Sequence, residues 1–448
     1  MSSSRLRWRG SLLWIFTLAL VPGAMVSAWG QSLPKASQPE QVGFSSQRLE
    51  RITETFQREV DSLAIPGAVV VVVRDGKIGY EKAIGYENRE ERAPMKVDSI
   101  FRVASMSKPI TTVAAMILVE EGKLDISAPV SQYLPEFSDL KVGPDAEPVK
   151  RAMTVQDLMR HTSGLAYEFF VESPAIRQAY HDTKVFSFDQ SLAEMVTKLA
   201  HVPLAHQPGS FWEYSMSTDV LGRVVEVVSD MALDQFVEER ITKPLRLTAT
   251  GFSVSEAQGA YVAQPQIDAT TGQRPAMMVE NAMVKPKWLS GGGGMFSTAG
   301  DYARFAQMLV NGGELDGVRL LSPKTVTLMT ADHLPPGVQY NASFIARLQD
   351  LAPTPEMGQG FGLGFKVRKD EGRNPLPGSV GDFGWQGIYG TLFWVDPKEK
   401  LVAVLMVQNG TDATGVANSR RNRHEMRELV YQALLPLPQT VSVGLSSK

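Results

Sequence analysis

The chain has 448 residues with 45 basic and 48 acidic side chains, a net charge of −3 and no cysteine. So even a balance, with no basic block beyond the N-terminal region, argues against nucleic acid as a partner. Without cysteine there are neither disulfide staples nor a lipidated cysteine, so stability must come from a core, which this length can build as one large or two merged domains.

In chain order, the first signal is Arg5, Arg7 and Arg9, followed by the apolar stretch Leu12 to Val21 and small residues at Val26-Ser27-Ala28 or Ala28-Trp29-Gly30. This is the layout of a cleavable signal peptide over residues 1–30, cut after Ala28 or Gly30, which predicts an extracytoplasmic (periplasmic or secreted) protein. The apolar stretch is short for a membrane span, so no stable membrane insertion is expected after cleavage; an uncleaved anchor is the alternative. Leu49, Ile52, Phe56 and Val60 fall at helical spacing behind a cap at Ser45 or Ser46. Ala68 to Val73 reads as a strand buried on both faces, turned by Asp75-Gly76 into a partner strand that ends at Gly85. Residues 116–285 read as mainly helical, with amphipathic stretches at Val220 to Val228 and Leu233 to Glu239. Gly291 to Gly294 lacks the Gly-Lys-Ser/Thr of a phosphate loop and reads as a tight backbone crossing before a helix capped by Thr298 and Asp301. Gly390 to Val395 and Leu401 to Met406 flank Asp396-Pro397-Lys398 as a second hairpin, and a terminal helix follows through Glu425 to Leu434. The expected fold class is α+β. An antiparallel sheet flanked by helices draws on both chain ends (31–115 and 286–440), a mainly helical domain (116–285) is inserted, and the cleft lies between them.

The chemistry concentrates at Ser105-Met106-Ser107-Lys108, at the head of the apolar helix Ile110 to Val119. Residues i and i+3 share a helical face, so an amine stands one turn from a hydroxyl that is too weak an acid to attack an acyl carbon unaided. The helix N-terminus adds partial positive charge that stabilises an alkoxide. A lone Ser-x-x-Lys ordinarily means a helix cap and a surface charge, and Ser32-Leu-Pro-Lys35 and Ser138-Asp-Leu-Lys141 share the spacing. Only Ser105 precedes a long apolar helix and has companions downstream: His161-Thr162-Ser163-Gly164-Leu165, Tyr214-Ser215-Met216 and Trp385-Gln386-Gly387.

This ordered set, with Thr154 to His161, Tyr214 to Gly222 and Gly292 to Thr298 leading into Asp301, resembles the serine β-lactamase and penicillin-binding-protein superfamily. Within it the chain is most similar to the class C β-lactamase-like esterases called family VIII, over nearly all of the sequence after about residue 40. The resemblance implies a β-lactamase/transpeptidase-like fold and an acyl-enzyme on Ser105, with Lys108 as general base and Tyr214 as the group that passes the proton to the leaving alkoxide and helps activate water. It places the oxyanion hole at the backbone N–H groups of Ser105 and Ile388. Trp385, Gln386, Gly387 and Met216 are the implied substrate-binding positions.

Two of these depart from the family. Trp385 stands where a lysine usually recognises a substrate carboxylate, and Met216 where an asparagine is common. Both changes point towards neutral esters and away from β-lactams or D-alanyl peptides. The expected activity is a serine carboxylesterase on short or medium acyl esters. An acyltransferase, a weak β-lactamase or a D-amino-acid peptidase is the alternative on the same site, and a non-catalytic penicillin-recognising sensor or scaffold the alternative of another class. No cofactor and no metal are expected, the histidines having no ligand spacing, and His161 reads as a hydrogen-bonded scaffold residue. Tyr167, Phe169, Phe170, Trp212, Trp288 and Tyr389 are candidate aromatic lining for a small ester or amide substrate, half of them expected in the core. No Gly-x-Ser-x-Gly occurs, which argues against an α/β-hydrolase fold.

Overall fold

The computed structural model describes residues 31–438 apart from 343, 344, 347 and 348; the expected signal segment lies outside them. Among the described residues no helix is long and apolar enough to cross a membrane.

An eight-stranded antiparallel sheet forms the frame, ordered 359–361, 366–368, 383–386, 392–396, 401–407, 67–74, 77–88 and 93–94. The two hairpins read from the sequence meet at its centre, where Val71 pairs with Val404 and Val70 with Leu405. The valine run explains itself here. Val69, Val71 and Val73 point to the larger core, Ala68, Val70 and Val72 to a second one, and every residue of the strand is buried. Each buried valine contributes roughly 1.5–3 kcal/mol, so an unbroken apolar run serves a strand covered on both faces. Asp75 and Gly76 both adopt the left-handed backbone that a two-residue hairpin turn demands.

The second core lies under Ser46–Asp61 and Ala413–Gln432. The first of these helices is capped by Ser45, whose hydroxyl accepts the Arg48 N–H at 3.3 Å. The terminal helix expected through Glu425 runs over Ala413–Gln432, capped by Asp412. Its buried face carries Asn418, Asn422, Arg423 and Arg427, so no apolar stripe marked it. Arg427 and Arg368 share the buried carboxylate of Asp382.

On the other face of the sheet, Ser107–Glu120 runs through the larger core with twelve of its residues buried. It packs against Ser217–Ser229, and around this pair stand Val155–Met159, Pro174–Thr183, Leu192–Leu199 and Leu233–Val237. Thr298 caps Ala299–Val310 by accepting the Asp301 N–H at 3.1 Å; the Asp301 carboxylate instead accepts the N–H of Ala249.

Candidate active site

Ser105 sits in the short turn Ala104–Met106 that feeds Ser107–Glu120. Ala104, just before it, is held at φ 45°, a left-handed conformation that a side chain adopts only when its surroundings impose it. The surroundings do so. The Val103 N–H donates to the Met295 carbonyl, the Met295 N–H to Ser107 Oγ, and the Tyr302 hydroxyl to the Met106 carbonyl. Within this clamp Ser105 is partly exposed while its neighbours on both sides are buried.

Lys108 Nζ is buried and donates to Ser105 Oγ at 3.3 Å, to the Tyr167 hydroxyl at 3.2 Å and to the Gly292 carbonyl at 2.6 Å. An ammonium has three donors and here finds three acceptors. The neutral amine keeps two of them, and with Gly292 and Tyr167 as acceptors its lone pair faces Ser105. The other two Ser-x-x-Lys matches do nothing of the kind: Lys35 pairs with Glu81 and Lys141 with Asp139 at the surface.

Tyr214 packs its ring face against the Lys108 ammonium, 4.5 Å from the centroid, and its hydroxyl accepts the indole N–H of Trp385 at 3.3 Å. Among the described residues, then, the phenol hydrogen-bonded to Lys108 is Tyr167, which the sequence offered only as pocket lining. Its distance of 59 residues from Lys108 left no local signal. Burial pushes the Tyr167 phenol well above its ordinary pKa, with the charges of Asp219 and Tyr214 adding to the effect, so Tyr167 stays protonated. Burial likewise holds His161 well below its ordinary pKa, helped by the Lys108 cation. His161 packs at 4.9 Å from Tyr214 and reaches Ser215 Oγ through Nδ1 at 3.3 Å, in the scaffold position its motif suggested. Asp219, fully buried across from Lys108, is raised by desolvation against the opposing pull of Lys108 and of its donors Ser290 and Gly292.

The third motif lies on the strand Phe383–Gln386 and the turn after it. A Cβ on Gly387 would come within 3.0 Å of both the Val103 carbonyl oxygen and Thr391 Oγ1, so only glycine lets this turn press against the chain two residues before Ser105. That contact seats the turn that carries Ile388 against the segment leading into Ser105, and the Ile388 N–H has no backbone acceptor among the described residues. Trp385 is almost wholly covered, flanked by Tyr214 and Phe361 at 5.4 Å each. It acts on Tyr214 rather than as an open apolar wall. Gln386 faces the terminal helix, where its Oε1 accepts from Arg423 at 2.6 Å.

Met216 is a correction. Expected at the substrate, it is fully buried in the larger core at the head of Ser217–Ser229, because the chain turns inward directly after Tyr214. Of the six candidate aromatics, Trp212 and Trp288 are fully buried, and Tyr389 is fixed by the Met278 N–H. Phe169 is exposed and stacks on Tyr167 at 5.2 Å, so this ring stands at the edge of the site.

A profile of the family described as Beta-lactamase matches residues 52–426. Protein Rv1367c of Mycobacterium tuberculosis is 39% identical over 367 residues, 79% of this chain and 89% of the relative. Esterase EstB of Burkholderia gladioli is 30% identical over 379 residues, 80% and 89% of the two chains. Among solved structures, EstCE1, described as a hydrolase with promiscuous acyltransferase activity, superposes with a TM-score of 0.71 at 27% identity, covering 86% of this chain and 99% of its own.

Proposed function

Because this chain belongs to the beta-lactamase family of hydrolases, with the fold of that family, we propose that it is a serine carboxylesterase that cleaves short or medium acyl esters through an acyl-enzyme on Ser105. The observation that carries the reading is the three-acceptor environment of Lys108, which aims a lone pair at the one partly exposed hydroxyl of the cluster. Lys108 takes the Ser105 proton as Oγ attacks the ester carbonyl. Charge on the tetrahedral oxygen is held by the N–H groups of Ser105 and Ile388. The carbon–oxygen bond to the alcohol breaks, the alkoxide receives the proton by way of Lys108 and Tyr214, and water repeats the sequence to release the acid.

Preference for neutral esters is supported by the indole at 385, which takes the place of a cation and donates to Tyr214. Without a charged contact to a lactam carboxylate, roughly 2 to 3 kcal/mol of binding is forfeited. p-Nitrophenyl esters of graded chain length should therefore be turned over with kcat/KM at least about 100-fold above a chromogenic cephalosporin. Equal or better cephalosporin hydrolysis would contradict the proposal. Acyl transfer is the second reading, favoured by the likeness to EstCE1: an alcohol in place of water would intercept the same acyl-enzyme. The N-terminal pattern supports an extracytoplasmic location.

A further inference from the structure

Asp219 is a buried acid that the mechanism above leaves without a task. Its bland role would be to favour the helix Ser217–Ser229, in whose first turn it lies. Its side-chain contacts lead elsewhere. Oδ1 accepts the Ser290 hydroxyl at 2.5 Å and the Gly292 N–H at 3.3 Å, both from the glycine-rich segment that crosses the head of the catalytic helix. The carbonyl of the same Gly292 accepts Lys108 Nζ at 2.6 Å. One residue is thus gripped by its N–H and used through its carbonyl. A Cβ on Gly292 would fall inside 3.0 Å of the Asp219 carboxylate, so the segment can close on the acid only as glycine.

The titratable groups around Lys108 are Tyr167, Tyr214, His161 and Asp219. Burial keeps His161 and Tyr167 uncharged; it also raises Asp219, but the Lys108 cation and the donors Ser290 and Gly292 pull the other way, so among these described groups Asp219 is the acid whose ionisation opposes the ammonium. We propose that Asp219 is a positioning residue for this chemistry: it holds the Gly292 carbonyl against Lys108 and, by its charge, sets the pH range over which Lys108 accepts the Ser105 proton. The inference rests on the serine-hydrolase reading above.

The test is the second-order rate of fluorophosphonate labelling of Ser105 between pH 5 and 9, beside ester turnover, in the wild type and in Asp219→Asn and Asp219→Ala. Asparagine keeps an acceptor for Ser290 and Gly292 but carries no charge, so the acidic limb of the profile should move to lower pH by about half a unit or more. Alanine should move the limb equally and also lower the plateau about 10-fold, since Gly292 is released. A folded Asp219→Asn protein with an unmoved limb overturns the proposal; if that variant does not fold, Asp219→Ser carries the same expectation and the same refutation. A wild type that is neither labelled nor active on esters would sink the hydrolase reading itself. A labelled wild type with an unmoved limb in the variant would sink only the role of Asp219.

Discussion

Gly387→Ala is the sharpest probe of how the third motif serves Ser105. The added Cβ would lie within 3.0 Å of the Val103 carbonyl oxygen and of Thr391 Oγ1, with the Val103 carbonyl carbon at 3.2 Å. Neither neighbour yields cheaply. Thr391 donates to Val103 O at 3.2 Å, and the Gly387 N–H donates to Thr391 O at 2.8 Å, so backbone and side chain are tied together at this point. Relief therefore requires the turn to back away by about half an ångström or more, carrying the Ile388 N–H with it. Loss of one oxyanion donor costs about 100- to 1,000-fold in kcat, and misplacement by about an ångström costs a similar factor. The expected result is a fall of at least about 100-fold in kcat for p-nitrophenyl butyrate, with KM within a few-fold and a folded protein by circular dichroism. A folded variant that keeps kcat within about threefold would refute the placing of Ile388 in the oxyanion hole.

Ser105→Ala should abolish fluorophosphonate labelling, and persistent labelling would remove Ser105 as nucleophile. Lys108→Ala and Tyr214→Phe should each lower kcat at least about 100-fold, whereas Tyr167→Phe, which takes one acceptor from Lys108, should cost about 10-fold; near-normal turnover removes the residue concerned. For Asp157, burial alone would raise the carboxyl, but donors from Arg151, Thr154, Arg160 and Thr162 outweigh it and bring the pKa to about 2. A depressed folded value stabilises above the unfolded value, and that stability, about 2.5 kcal/mol, is lost as pH falls from about 4 to about 2. Urea unfolding should show Asp157→Asn weaker by about 2–3 kcal/mol at pH 7 and less sensitive to acid; equal stability at pH 7 would count against it. The exported protein should begin near Trp29 or Gln31 by N-terminal sequencing, and a chain lacking residues 1–30 should be active and indifferent to reductant. A membrane-retained product still bearing Met1 would show an anchor.

What could be read from the sequence was what the chain writes locally. Ser105 lies in the short turn that leads into the helix of Lys108, three residues on, and both hairpins carry strand runs around turn residues, so pattern and structure coincide. The partners of Lys108 were out of reach, since Tyr167 and Gly292 arrive from other segments and one of them contributes only a backbone oxygen. Met216 misled because a motif fixes which residue follows Tyr-Ser but not which way its side chain turns. Where the terminal helix begins could not be read, because its buried face carries asparagine and arginine, which satisfy their polar groups in part by hydrogen bonds such as Asn418 Nδ2 to the Ala64 carbonyl.

The pairing of Val71 with Val404 also bears on how the molecule comes to be. A central strand near the beginning of the chain has its partner on one side only when almost everything else has been synthesised, so the defining contacts are among the most remote the polypeptide can make. Folding governed by such contacts is slow, and the six-residue apolar run Ala68 to Val73 must wait without its second neighbour. Segments close to the two described ends, by contrast, already lie side by side, with the Ser45 N–H donating to Ala433 O and the Leu435 N–H to Gly43 O. Linking the two ends and opening the chain at an exposed loop near Gly143 would bring the strands of Val71 and Val404 several-fold nearer in the chain, and the permuted enzyme should refold faster while keeping the same site.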